Sequence, residues 1–313
     1  MKKRYAIFLW FVSAVLAAAI LLLVVFRQPD ISVGELKRLY AQEPSQFMNI
    51  QGMLVHYRDE GVPADTVPLV LVHGTSSSLF TWDACTKDWI RQRRVIRMDL
   101  PGFGLTGPHP DHDYSIGMYV DFLENFLRQK NIDHCYLAGN SLGGLIAFQY
   151  AARFPQQVMK VILIDPAGYP TGNAKGSLAF KLGKIPVIRN ILTIITPLSV
   201  VRKSLEDAYG NDALVSDALV KQYRDMACRE GNRKALLERL KTDQEGDTSW
   251  VQKLMQPTLI LWGDQDRLIP VANAHKFQRD LPNDTMVVFP GVGHVPMEER
   301  PELVIPIVIQ FLE

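Results

Sequence analysis

Residues 5–26 form an apolar run interrupted only by Ser13, with nothing polar to mark a solvent-facing side. At about 1.5 Å per residue in a helix, such a run reaches roughly 33 Å, enough to cross the hydrocarbon core of a bilayer. The apolar stretch of a cleavable signal peptide is shorter, about 7–15 residues, and no small-x-small site precedes the polar boundary at Arg27. Lys2, Lys3 and Arg4 flank one end and Arg27 the other. The positive-inside rule therefore puts the N-terminus in the cytoplasm and the bulk of the chain on the extracytoplasmic side, the periplasm in a Gram-negative source. Residues 1–29 read as an uncleaved signal anchor, a single transmembrane helix that meets the lipid bilayer through residues 5–26.

Residues 30–46 are polar with a helical repeat that puts Leu36, Leu39 and Tyr40 on one face; they read as a stalk. From residue 47 the pattern changes to short apolar runs alternating with helical stretches. Strands are predicted at 47–50 and 53–57, around Gln51-Gly52, and then at 67–72, 94–98, 135–138, 158–164, 258–262 and 286–289. Helices are predicted at 82–89, 118–128, 145–150, 271–281 and 301–312. The alternation predicts an α/β domain over 47–313 with a mostly parallel central sheet flanked by helices. The rhythm breaks at about 169–247, where no strand pattern appears and helical spacing recurs at 205–209, 213–224 and 235–240. A stretch of that length is too long for a bare loop and predicts a helical cap inserted at the rim of the sheet.

Composition changes this picture little. Hydrophobic residues make up 47% of the 313, enough for a large core. Of 34 basic residues four lie in the first 27, leaving 30 against 33 acidic ones. With no basic stripe, nucleic acid is excluded as a partner. Cys85, Cys135 and Cys228 lack metal-ligand spacing, and at most one pair could form a disulfide.

The candidate chemistry lies just after the predicted strands, where parallel sheets bind ligands. Gly139-Asn140-Ser141-Leu142-Gly143 joins an apolar strand to a helix. Such a turn drives the serine hydroxyl outward, with the free N–H groups of the helix start beside it. Serine is a poor nucleophile until an imidazole takes its proton, and His294, after the last strand, is placed for that work. An acid must then hold the imidazole's tautomer. Asp266, Asp264 and Asp165 all follow strands, and Asp266 is preferred. His73-Gly74-Thr75 ends an upstream strand, so the Thr75 amide, with Ser76 in reserve, and the Leu142 amide are the expected oxyanion donors. Each signal has a plain alternative: a glycine-rich turn, a surface histidine, a capping aspartate. The order nucleophile, acid, histidine is what joins them. No metal or other cofactor is called for.

His73-Gly74 with Trp82, Asp99-x-Pro-Gly-x-Gly104, Gly139-Asn-Ser-Leu-Gly-Gly144, the segment from Leu261 through Asp266 to Pro270, and Gly293-His-Val-Pro-Met-Glu-Glu-Arg-Pro301 occur in that order. Over residues 47–313 the chain resembles the α/β-hydrolase superfamily, and most of all its serine-nucleophile branch of carboxylesterases, carbon–carbon bond hydrolases and haloperoxidase-like members. The resemblance implies the α/β-hydrolase fold with a cap. It also implies Ser141, Asp266 and His294 as a catalytic triad, with the acid at the second Asp of the Gly-x-x-Asp element. A small apolar ester or related carbonyl compound is the expected substrate. A carbon–carbon hydrolase or an acyltransferase on the same triad is the first alternative, and a non-catalytic binding protein with this fold is the second.

Overall fold

The computed structural model describes residues 5, 9–14, 27–171, 185, 193–242 and 247–313. Eight strands form one sheet: β1 (Ser45–Ile50), β2 (Met53–Gly61), β3 (Leu69–Val72), β4 (Arg94–Met98), β5 (Cys135–Asn140), β6 (Val158–Ile164), β7 (Thr258–Gly263) and β8 (Asp284–Phe289). Their order across the sheet is β1-β2-β4-β3-β5-β6-β7-β8. At one edge β1 pairs with β2 and β2 pairs with β4 antiparallel, and the remaining pairs are parallel. Gln51 and Gly52 join β1 to β2, both at positive φ as a two-residue hairpin turn requires. β2 runs four residues beyond the sequence expectation, through Arg58, Asp59 and Glu60. These charges stay in the sheet because β4 supplies partners: Arg94 to Asp59 at 2.8 Å and Arg97 to Glu60 at 2.9 Å.

The strand sequences explain the layers. In β3, Leu69 and Leu71 face one side and Val70 and Val72 the other, all fully buried. Each side carries its own apolar cluster. The helices covering them include α2 (Asp83–Trp89), α3 (Ile116–Gln129), α4 (Leu142–Arg153), α9 (Ala272–Asp280) and α11 (Pro301–Leu312). Ser115 starts α3 by accepting the Met118 amide, the ordinary role of a serine N-cap.

Between β6 and β7 come α5 (Leu198–Ala208), α6 (Asp217–Ala227), α7 (Asn232–Arg239) and the short α8 (Ser249–Gln252), with no strand among the described residues of that stretch. A further short helix, α10 (Pro296–Glu299), precedes α11. The free thiols Cys85, Cys135 and Cys228 are buried and form no disulfide.

The segment 30–46, expected as a stalk, is docked on the domain. Its helix α1 (Val33–Tyr40) buries Leu36 completely against Leu79, Phe80, Leu105 and Met226. Ile31 forms an isolated β-bridge with Arg229, and the Tyr40 hydroxyl donates to Asp225 at 2.7 Å. A buried leucine outweighs the polar residues around it, which composition alone could not weigh. The segment expected as an anchor lies mostly outside the described residues. Within it, residues 9–14 are helical and exposed or nearly so. Among the described residues no helix is long and apolar enough to cross a membrane.

Candidate active site

Ser141 stands between the end of β5 and the start of α4 with φ 55° and ψ −118°, a backbone state costly for a residue with a side chain. Its neighbours make that turn possible. A Cβ on Gly143 would strike the Val72 carbonyl, and one on Gly139 would strike the Gly143 carbonyl. The small residues two positions either side of the serine are thus a packing requirement, because helix and strands approach within backbone contact. The Ser141 hydroxyl has no hydrogen-bond partner among the described residues and lines a cavity of about 200 Å³.

His294 lines the same cavity. Its Nδ1 lies 2.6 Å from Asp266 Oδ2, and Asp266 Oδ1 accepts the amides of Leu268 and Ile269 at 2.7 and 2.9 Å. Asp266 is therefore fixed at one oxygen by the β7–α9 loop and turned to the imidazole with the other. A carboxylate on Nδ1 leaves Nε2 as the nitrogen free to accept a proton. Asp264, two residues earlier, is exposed and accepts the Gly291 amide at 2.7 Å, which makes it a loop clasp.

Asp165 is fully buried behind this pair. It accepts the Gly263 amide on Oδ1 at 3.0 Å, while Oδ2 has no hydrogen-bond partner. Asp165, Asp266 and His294 bring one ligand-type atom each within 4.8 Å of one another. Three such atoms are within reach of one ion, but His294 and Asp266 are turned to each other, imidazole Nδ1 to carboxylate Oδ2. Burial first, and the Asp266 charge second, push the Asp165 carboxyl well above the usual carboxylate range, favouring its protonated form.

Thr75 and Ser76 both line the cavity. The amides of Thr75 and Leu142 donate to no acceptor among the described residues, so both are available to a ligand. His73 holds this loop from behind. It is fully buried; its Nε2 accepts the Leu100 amide at 2.9 Å, so Nδ1 carries the hydrogen and donates to the Gly74 carbonyl at 2.8 Å. Burial lowers its pKa and keeps the ring neutral in that role.

Several contributors carry no motif of their own. The Asn140 side-chain amide donates to the His294 carbonyl at 3.0 Å, tying the strand that ends beside Ser141 to the loop of His294. Glu299 accepts the amides of Gly293, Gly210 and Asn211 at 2.9–3.0 Å. The rest of the cavity is largely apolar, walled by Val200, Val201 and Leu205 of α5 and by Leu236 and Leu237 of α7, with Leu240 just beyond. Arg233 also lines it, but its guanidinium is engaged with Asp30 at 2.6 Å and the Gln28 carbonyl at 2.8 Å.

This sheet, with its strained serine on the strand-to-helix turn and an acid–histidine pair opening on the same apolar cavity, defines a hydrolase of the α/β class. Residues 69–307 match the alpha/beta hydrolase family, and the chain belongs to it. The protein is accordingly an enzyme, a hydrolase. A membrane phospholipase A described as a bacterial virulence factor superposes with a TM-score of 0.73 at 27% identity, covering 99% of this chain and 98% of that one. Lipase 3 of Moraxella sp. is 27% identical over 257 residues, 79% of this chain and 76% of that protein. The 2-hydroxy-6-oxo-2,4-heptadienoate hydrolase of Pseudomonas putida is 29% identical over 259 residues, 78% and 88% of the two chains.

Proposed function

We propose that this protein is a membrane-anchored serine hydrolase that cleaves an apolar carboxylic ester through an acyl-enzyme. The observation that carries the reading is the 2.6 Å contact of Asp266 with His294, in a cavity that Ser141 also lines. Ser141 Oγ attacks the ester carbonyl carbon as its proton passes to His294 Nε2, and Asp266 stabilises the imidazolium. The carbonyl oxygen, now an oxyanion, takes the Thr75 and Leu142 amides, donors typically worth about 3–4 kcal/mol each in such a position. Collapse breaks the bond to the alcohol oxygen, which leaves with the proton from His294. Water then repeats the sequence on the acyl-enzyme, releasing the acid and returning the proton to Ser141.

Two features support an apolar ester over a charged dienone acid. The cavity wall is mainly aliphatic, and its cation Arg233 is already paired with Asp30, so a substrate carboxylate would have to break that pair. The names of the phospholipase A and Lipase 3 relatives agree with an acyl-ester substrate. The apolar run of residues 5–26 supports the membrane anchor, with the catalytic domain on the extracytoplasmic side. A fluorophosphonate probe should label the full-length protein, and Ser141→Ala should abolish both label and ester hydrolysis. A folded Ser141→Ala variant that still turns over esters would end the proposal.

A further inference from the structure

A second cavity, of about 340 Å³, lies beside the first and opens to the surface near the exposed Leu214. Tyr209 and Tyr223 line both. Tyr209 follows α5 and Tyr223 lies on α6, and both rings are held in place at their hydroxyls. Tyr209 Oη donates to Glu298 Oε2 at 2.7 Å, and Tyr223 Oη donates to Glu298 Oε1, which also receives the Thr81 hydroxyl. On the catalytic side Tyr223 Oη lies 3.3 Å from Ser77 Oγ, two residues beyond the Thr75 amide. Two rings pinned to one carboxylate form a fixed partition rather than a mobile pair of side chains, since moving either one leaves a donor or acceptor unpaired.

From this arrangement we infer that Tyr209 and Tyr223 set the length of the apolar arm the enzyme accepts, by closing the catalytic cavity against the second one. The inference rests on the ester-hydrolase reading and names a specificity element for it. With the partition in place, the arm that points from Ser141 past Ser77 ends against the two rings. With a ring removed, the two cavities join, and methylenes that were excluded gain the apolar part of the second lining, Phe80, Leu214 and Leu219, which it shares with Asp83, Glu298 and Glu299. Each added CH2 placed against those apolar residues is worth up to about fourfold in kcat/KM.

The test uses full-length protein in detergent and two ester series, p-nitrophenyl esters of acids from two to sixteen carbons and alkyl butyrates of increasing alcohol length. Tyr223→Ala should move the optimum of one series to longer chains, by up to about fourfold in relative kcat/KM for each added carbon. Tyr223→Phe keeps the ring and loses the hydroxyl, so its optimum should match that of the wild type. A Tyr223→Ala enzyme that is active with both optima unmoved, or a Tyr223→Phe enzyme shifted as far as the alanine variant, overturns the partition and leaves the triad reading standing. If Tyr223→Ala does not fold, Tyr209→Leu, a smaller truncation of the same wall, decides between the same two outcomes. Loss of the triad reading shows separately, as full hydrolysis in Ser141→Ala.

Discussion

The backbone amide of His294 donates to the carbonyl of Ala208 at 2.6 Å. Ala208 is the last residue of α5, inside the insertion between β6 and β7. The contact is tight on both sides, because a Cβ on Gly293 would strike the Ala208 carbonyl and the Gly210 amide. Glu299 adds three further amides across the same junction, from Gly293, Gly210 and Asn211. The insertion therefore forms one wall of the cavity and also fixes the histidine's loop.

Glu299→Ala should accordingly hurt activity as well as stability. It leaves the buried Gly293 N–H without an acceptor, a loss of about 1–3 kcal/mol, and releases the half-buried amides of Gly210 and Asn211. The expected result is a lower thermal midpoint, with kcat reduced more than KM is raised, because the displaced loop carries His294. An unchanged kcat in a folded variant would show that the junction is structural only.

How much of this was legible in the sequence depends on where each signal resides. Ser141, Asp266 and His294 each follow an apolar strand within a short motif, and a side chain at the tip of a strand is a local property of the chain. The edges were harder to read. The charged end of β2 reads as loop until Arg94 and Arg97 are known to lie beside Asp59 and Glu60. The Ala208 and Gly210 contacts could not be read at all. They are made by main-chain groups, and Gly210 meets Glu299 across 89 residues of sequence. The docking of residues 30–46 was hidden for a similar reason, since one buried leucine, Leu36, among exposed polar neighbours has no periodic signature beyond a weak helical one.

The choice among the three acids can be tested directly. Asp266→Asn should lower kcat by about 10³–10⁴-fold, since an amide cannot stabilise the imidazolium and favours the wrong tautomer. Asp264→Asn, altering an exposed group that accepts the Gly291 amide and the Gln265 side chain, should leave kcat within a few-fold of wild type. Reversed outcomes would move the acid to Asp264.

Asp165 should behave as a neutral neighbour of the pair. Its folded-state pKa is raised by burial and then by the Asp266 charge. The unfolded chain thus loses its proton first, and this group's stabilising contribution, complete below about pH 4, declines as pH rises toward the folded value. Asp165→Asn removes that slope. Its thermal midpoint should therefore gain on wild type as pH rises from 4, while kcat stays within a few-fold because the amide can still accept from Gly263. An Asn variant as inactive as Asp266→Asn would make Asp165 the working acid.

The last prediction concerns the amino-terminal segment, where the membrane expectation and the docked helix α1 make separate claims. Deleting residues 1–26 removes the apolar run but keeps Gln28 and Asp30 on Arg233, Ile31 on Arg229 and Leu36 in its cluster. That protein should be soluble, with catalytic constants on a soluble ester close to those of the full chain. Deleting residues 1–44 removes Leu36 and the Tyr40 contact to Asp225 as well. Leu36→Ala alone should cost about 2–5 kcal/mol, so the longer deletion should melt well below the shorter one and lose activity through the loosened α6–α7 wall. The full chain should sediment with membranes and resist carbonate extraction. Orientation is read by fusions after Glu313. Alkaline phosphatase, which needs an oxidising compartment, should be active there, and green fluorescent protein sent through the general secretory route should stay dark. A fluorescent fusion with a silent phosphatase would place the active site in the cytoplasm and overturn the charge argument, while equal melting of the two deletions would show that α1 contributes nothing to the α6–α7 wall.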